Sequence, residues 1–410
     1  RVNSYNNEQI LDLIKKLVSF IIAEENKTLS NQKFYNENIE ILKSNFLKYE
    51  EEEIICLLRR HRLFPLLSSS NLTNTILPNL TNQIKSFSIK EFNRTLFICS
   101  KLLEVNKLLN SEKIPFLVIK GIPLSIQTTN NLISRGAGDI DIFIDPSSIN
   151  KVSEILKEKG FRKSTPYINY SNSVIGKYIT FVSPEVMFRK NYPEINFSLD
   201  LDIHWRLSSV KGPNPSFKTS WNRKKQIIIK NQKINVLSIE DAFIHSCLHA
   251  AQDEFMSIRS LIDIERLSRK IDKKNIKNLS KLNVVKSASC LSFDSTNSEN
   301  LKFFYPASNL YFKYLIQKTK RLQLTEIKYM STSSWTLKNR IKVGFRILQF
   351  TKNPIDWLRV ILLNILSPES FVNYQNNQII YNPLIILKLR FKRLLQKIKL
   401  NINHKSESNN

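Results

Sequence analysis

Residues 138–144 read Gly-Asp-Ile-Asp-Ile-Phe-Ile. The run predicts a β-strand, in which side chains two apart share a face, so Asp139 and Asp141 stand side by side with the isoleucines turned away from them. Like charges at that spacing repel, and a carboxylate taken out of water costs several kcal/mol unless it is paired, hydrogen-bonded or bound to a metal. A divalent cation meets both demands, because hard Mg²⁺ takes oxygen ligands from one or two carboxylates and from substrate phosphates. The plainer alternative is an edge strand whose polar side faces solvent.

Around this strand the hydrophobic pattern divides the chain. At 410 residues the chain is long enough for two or three compact units with a sizeable core. From Tyr5 to about Leu109 apolar residues recur at three- and four-residue spacing, which predicts a helical front domain over 1–110. "IPFLVIKG" is a short strand that stops on Lys120-Gly121, followed by a helix-length segment to Asn131. After the aspartate strand, Asp145-Pro146 predicts a helix start and Gly160 its end. The runs at 178–190 and 195–207 flank the turn residues "NYPE" and predict an antiparallel pair. Ser238 with Asp241 forms a capping-box pattern that opens a further helical region. The expected fold class is therefore α+β: an α/β core over 111–237 between helical domains at 1–110 and 238–400, with 401–410 a disordered tail.

A metal-dependent site of this kind wants a third acid. The strand "FSLDLDIHWRL" supplies Asp200, Asp202 and His204 on one face, with Asp202 the preferred ligand and Asp200 the fallback. Asp202 has a structural alternative as a partner of Arg206, and His204 divides between phosphate contact and a satisfied position beside Trp205. Lys120-Gly121 ends a strand before a helix, where a glycine lets phosphates approach backbone amides and the lysine adds positive charge. Arg135, four residues before the first aspartate, is placed to pair with a triphosphate oxygen.

Taken in order, "FLVIKGIPL", "RGAGDIDIFID", "LDIHWRL" and "LHAAQDEFMSIRSLIDIERL", with "LLRRHRLFPLLSSSNL" in the front region, resemble the uncharacterised nucleotidyltransferase family of the DNA polymerase β superfamily. The resemblance covers roughly residues 40–270. It implies a short mixed sheet with helices on one side, binding Mg²⁺, two ions in this superfamily, and an NTP. The implied reaction moves a nucleoside monophosphate to an acceptor hydroxyl and releases pyrophosphate. By position, Asp139, Asp141 and Asp202 match the metal ligands and catalytic carboxylates, and Lys120-Gly121 stands where the superfamily has a Gly-Ser phosphate turn. The acceptor is left open between RNA, a small molecule and a protein hydroxyl. A non-catalytic nucleotide- or RNA-binding module on the same fold is the alternative.

The remaining features bear on partners and place. Lys and Arg number 62 against 35 acids, a formal charge of +27 that favours anionic partners. From Lys388 to Lys399 six cations and no acid, with interleaved leucines and Phe391, predict a basic amphipathic helix, by default a solvated face, otherwise an RNA or membrane-surface contact. No apolar stretch reaches the roughly 20 residues of a bilayer span, and four scattered cysteines suit reduced thiols, so a cytoplasmic protein is expected. His245 and His249 share a helix face at a zinc-compatible spacing, but helix packing is preferred. Arg259 and Asp263 read as an intrahelical ion pair, with nucleotide contact the other option.

Overall fold

The computed structural model describes residues 4–27, 32–164, 170, 173–305, 310–324 and 348–366, with a short pairing of 372–373 with 378–379. Helical spacing of apolar residues builds the front of the chain as α1 (Ser4–Glu25), α2 (Gln32–Phe46), α3 (Glu51–Arg60), α4 (Phe64–Ser68), α5 (Asn71–Ile76) and the long α6 (Thr81–Ser111). In α3, Glu51, Glu52 and Glu53 occupy the first turn and Arg59 and Arg60 the last, matching the helix dipole. Ile10, Ile14, Leu17 and Ile21 of α1 bury against Leu42, Leu58 and Phe64, and Ile258 and Ile262 from far along the chain join the same cluster.

The α/β region follows as β1 (Phe116–Val118), α7 (Ile122–Thr129), β2 (Ile140–Ile144), α8 (Ile149–Glu158), β3 (Arg162–Lys163), α9 (Val174–Val182), β4 (Glu185–Tyr192), β5 (Phe197–His204), α10 (Phe217–Asn222), β6 (Lys225–Ile229) and β7 (Gln232–Val236). These strands form one mixed sheet of seven in the order β3-β4-β5-β2-β1-β7-β6. Ile140, Ile142 and Ile144 lie with Leu199, Leu201 and Ile203 in a core closed by Ile98 and Leu102 of α6, Val152 and Leu156 of α8, and Ile179 of α9. Each such burial stabilises the fold by roughly 2 kcal/mol. The opposite parity of β1 and β2, Leu117 and Phe143, packs with Phe243 and Cys247 of α11 (Ile239–Gln252). Helices therefore cover part of the second face as well, where the family resemblance implies one side only. Beyond it come α12 (Ile258–Ser268), α13 (Lys273–Leu279), α14 (Asn283–Thr296), α15 (Leu310–Leu324) and α16 (Pro354–Ile365). The mixed sheet with helical flanks is an α+β fold.

Two local differences from the sequence reading have clear causes. Residues 178–182, expected as strand, are the end of α9: Ser173 caps the Gly176 N–H, and Ile175, Ile179 and Val182 are buried at helical spacing. β-branched residues had disguised that period. The hairpin β6–β7 was not anticipated, because its two-residue turn is Lys230-Asn231, both at positive φ, rather than Asn-Gly. The antiparallel pairing of β4 with β5 across the Pro193–Ile195 turn, and the Ser238 cap of α11, are as read from the sequence. The basic segment 388–399 and the tail 401–410 lie outside the described residues. No helix among the described residues is long and apolar enough to cross a membrane.

His61, fully buried after α3, is pushed down to about 3 by burial first and then by Arg60 and Lys15. The unfolded chain titrates near 6.5, so between those values it binds more protons than the folded one, and stability falls as pH drops through that window. His61→Gln is expected to flatten this acid limb in urea titrations at pH 7, 5 and 4; an unchanged slope would contradict the assignment.

Candidate active site

The parallel pairing of β2 with β5 sets Asp141 directly opposite Asp202, and Asp139 comes one residue before β2 on the same side as Asp141. One carboxylate oxygen from each of the three lies within 4.8 Å of the others. They form a ladder from protein to solvent: Asp141 is buried, Asp202 half-buried and Asp139 exposed.

Asp141 is balanced locally. Lys120 Nζ lies 2.7 Å and His204 Nε2 2.9 Å from the same atom, Asp141 Oδ1. His204 Nδ1 in turn lies 2.8 Å from Glu185 Oε2, its cross-strand partner in β4. The cluster thus holds four acids, Asp139, Asp141, Asp202 and Glu185, against two cations, Lys120 and His204. Burial alone would raise the Asp141 carboxyl, but Lys120 and His204 outweigh it and hold it well below the usual range. Burial would lower His204, yet Glu185 and Asp141 push it up to about 10. Asp202 has no such cation, and burial, then Glu185 and Asp141, push it up to about 8. Asp139, although exposed by surface area, has protein atoms crowding its carboxyl; that crowding and then Asp141 raise it.

A divalent cation fits this donor set. It would meet hard oxygen ligands and supply the positive charge that the four acids lack, offsetting the burial and repulsion that raise Asp202. No other group of three or more His, Cys, Asp or Glu side chains with such spacing occurs among the described residues.

A family model described as "Uncharacterised nucleotidyltransferase" matches residues 48–292, which span every strand of the sheet and all three aspartates. The chain belongs to this family. A search of curated proteins gives no match.

The other residues singled out from the sequence are placed variously in this nucleotidyltransferase fold. Gly121 sits at φ 61° and ψ −119°, a region closed to other residues, and a Cβ there would lie 3.7 Å from Asp139 O. The Lys-Gly turn therefore abuts the metal strand, and α7 starts from it with no side chain capping its first turn. Both ring nitrogens of His204 lie within ion-pair distance of carboxylates, Nε2 of Asp141 and Nδ1 of Glu185. Arg135 Nε is held 2.7 Å from Asp263 Oδ2, so the expected Arg259–Asp263 pair within α12 gives way to a long-range one. Asp200 is taken by Arg189 through two hydrogen bonds of 2.6 and 2.8 Å, which removes it as the third ligand. Arg206 donates to the Thr180 and Ser183 carbonyls, not to Asp202. His245 is buried on α11 near Lys120, and burial holds it well below the usual imidazole range.

Glu185 escaped the sequence reading. Only its register opposite His204 reveals it, and a glutamate at a strand start carries no signal of that. A cavity of about 310 Å³ opens beside the loop that leads into Arg135, lined by Pro65, Lys85, Phe92, Asn131, Ile133 and Ser134. None of the three carboxylates lines it.

The raised Asp202 means that the metal-free folded state binds more protons than the unfolded chain from the ordinary carboxylate range up to about 8, so metal-free stability declines as pH rises through that window. Asp202→Asn is expected to reduce this decline, to which the raised Asp139 also contributes, to gain about 1 kcal/mol or a few degrees in Tm at pH 8.5, and to lose the stabilisation by Mn²⁺ expected of the wild type. Thermal melts at pH 6 and 8.5, with and without the ion, check this.

Proposed function

We propose that this protein transfers a nucleoside monophosphate from an NTP to an acceptor hydroxyl and releases pyrophosphate. The observation that carries the reading is the three-carboxylate cradle, open at Asp139 and closed at Asp141, in a chain of the nucleotidyltransferase family. In the reaction the acceptor oxygen attacks the α-phosphorus. The bond to the α–β bridging oxygen breaks, and pyrophosphate departs with that electron pair.

Asp139, Asp141 and Asp202 would hold Mg²⁺, two ions in this reading, which when bound lowers the pKa of the attacking hydroxyl and neutralises charge on the leaving group. Asp202, half-buried directly opposite Asp141, orients the acceptor hydroxyl and, as a carboxylate, takes up its proton. Gly121 lets the phosphates approach the uncapped first turn of α7. Lys120 adds a cation at the same turn, and its contact with Asp141 holds it there before nucleotide arrives. His204 and Glu185 touch no reacting atom; they set the position and charge of Asp141.

The geometry also decides which variant is informative. Asp141→Ala takes from half-buried Lys120 the carboxylate 2.7 Å away and leaves His204 with Glu185 alone, at a cost of about 3 kcal/mol, so lost activity there would be ambiguous. Asp139 is exposed and leaves no orphaned partner. Asp139→Asn is expected to reduce transfer by at least about 100-fold with an unchanged or higher Tm. The assay incubates the protein with each α-³²P-labelled NTP, Mg²⁺ and host lysate, then separates RNA, protein and small molecules. Label on one fraction identifies the acceptor. Wild-type transfer by Asp139→Asn, or no labelled product with any NTP, overturns the reading.

A further inference from the structure

A second charged cluster adjoins the aspartates and has the opposite sign. Arg135 Nε is pinned to Asp263 of α12, and Arg259 Nη1, one helical turn earlier on α12, reaches the Arg135 carbonyl at 3.5 Å. Arg94 Nη2 donates at 3.0 Å to the carbonyl of Gly138, the residue before Asp139. Glu91 lies beneath the same loop, where a Cβ on Gly136 would come 3.2 Å from its Oε2, and its carboxyl senses Arg259, Arg62 and Arg94. Four arginines thus gather around two carboxylates, Glu91 and Asp263. Arg62 and Arg94 are exposed at the rim and form no ion pair among the described residues, while Arg135 and Arg259 lie deeper.

Arg259 is the anomaly in this group. Its Nε is buried without a hydrogen-bond partner, and burial, then Arg135 and Arg62, push it down to about 9. Ser257, which starts α12, makes no side-chain cap to the helix, and its hydroxyl is likewise buried and unpartnered. A buried guanidinium beside other guanidiniums destabilises the free protein, and an anion would relieve it. The charges of Arg135 and Arg259 reach the Asp139 carboxyl, so the excess of arginines borders the excess of acids.

We propose that Arg259, with Arg135 and the rim arginines Arg62 and Arg94, binds the triphosphate tail of the nucleotide, an assignment that rests on the nucleotidyl-transfer reading above. A metal–triphosphate needs both signs: its metal faces carboxylates, and its remaining oxygens face donors. Guanidinium forks on α12 and on the loop before Asp139 match phosphate oxygens, which accept two N–H bonds at once. Pinning of Arg135 by Asp263 fixes one fork in advance, and Arg259 carries a buried Nε that no group among the described residues satisfies.

The experiment measures binding of inorganic tripolyphosphate, of Mg²⁺–NTP and of the matching nucleoside monophosphate by titration calorimetry, for wild type, Arg259→Met and Arg259→Lys. Arg259→Met is expected to weaken tripolyphosphate and NTP about tenfold or more, to change monophosphate and Mn²⁺ binding less than about twofold, and to leave the ligand-free Tm unchanged or higher. Arg259→Lys falls between. A purely structural arginine would instead lower the Tm on removal. Wild type that fails to bind tripolyphosphate, Arg259→Met that binds it like wild type, or equal loss for the monophosphate overturns the site. Transfer activity with normal KM in Arg259→Met refutes this site and leaves the enzyme reading standing. Arginine-dependent tripolyphosphate binding without any transfer does the reverse.

Discussion

A buried carboxylate at the centre of the sheet governs this molecule. Asp141 is 2% exposed, in a strand whose every residue is buried, and it is tolerable there because Lys120 and His204 both meet its Oδ1. Each of those cations in turn needs an acid: Lys120 has Asp141, and His204 has Glu185 as well. The network ties β1, β2, β4 and β5 together through charge as well as through the backbone ladder. It also orients the Asp141 carboxylate beside Asp139 and Asp202, so the groups that secure the fold are the same ones that shape the candidate site.

Local balance at Asp141 does not extend to its neighbours. Burial raises both Asp202 and Asp139, and repulsion adds to it, from Glu185 and Asp141 for Asp202 and from Asp141 for Asp139. On the far side of Asp139 the arginines repel one another. Two patches of uncompensated charge, of opposite sign and side by side, are unfavourable in the free protein and are what a metal-bound polyphosphate would neutralise together. A fold selected for stability alone would have paired them with each other, as Arg189 pairs with Asp200 further along the sheet.

Some of this was legible in the chain. The alternation at Asp139–Ile144 specified a strand with acids on one face, and Lys120-Gly121 specified a turn at its neighbour's end, because period and glycine geometry are local properties. The helical front, the Ser238 cap and the β4–β5 pairing were readable for the same reason. Tyr178–Val182 was misread because β-branched residues fit either period, and only burial of Ile175, Ile179 and Val182 together discloses the helix. Glu185, and the partners of His204, Arg135 and Arg259, were not legible because those partners lie on other elements: His204 meets Asp141 across 63 residues, and Arg135 meets Asp263 across 128.

By itself, then, the order of residues determined which side chains alternate, where several of the strands and helices start, and that two aspartates share a face. Tertiary structure supplied the reason that Asp202, preferred from the sequence, rather than Asp200 joins them, since the parallel register of β2 and β5 puts Asp202 opposite Asp141 while Arg189 claims Asp200. It likewise decided that His204 supports a carboxylate and that the Nε of Arg259, beside Asp139's loop, has no hydrogen-bond partner among the described residues. The physical reason is that electrostatic partnership depends on distance and burial, and between residues of different elements both are set by strand register and helix docking, which no local pattern encodes.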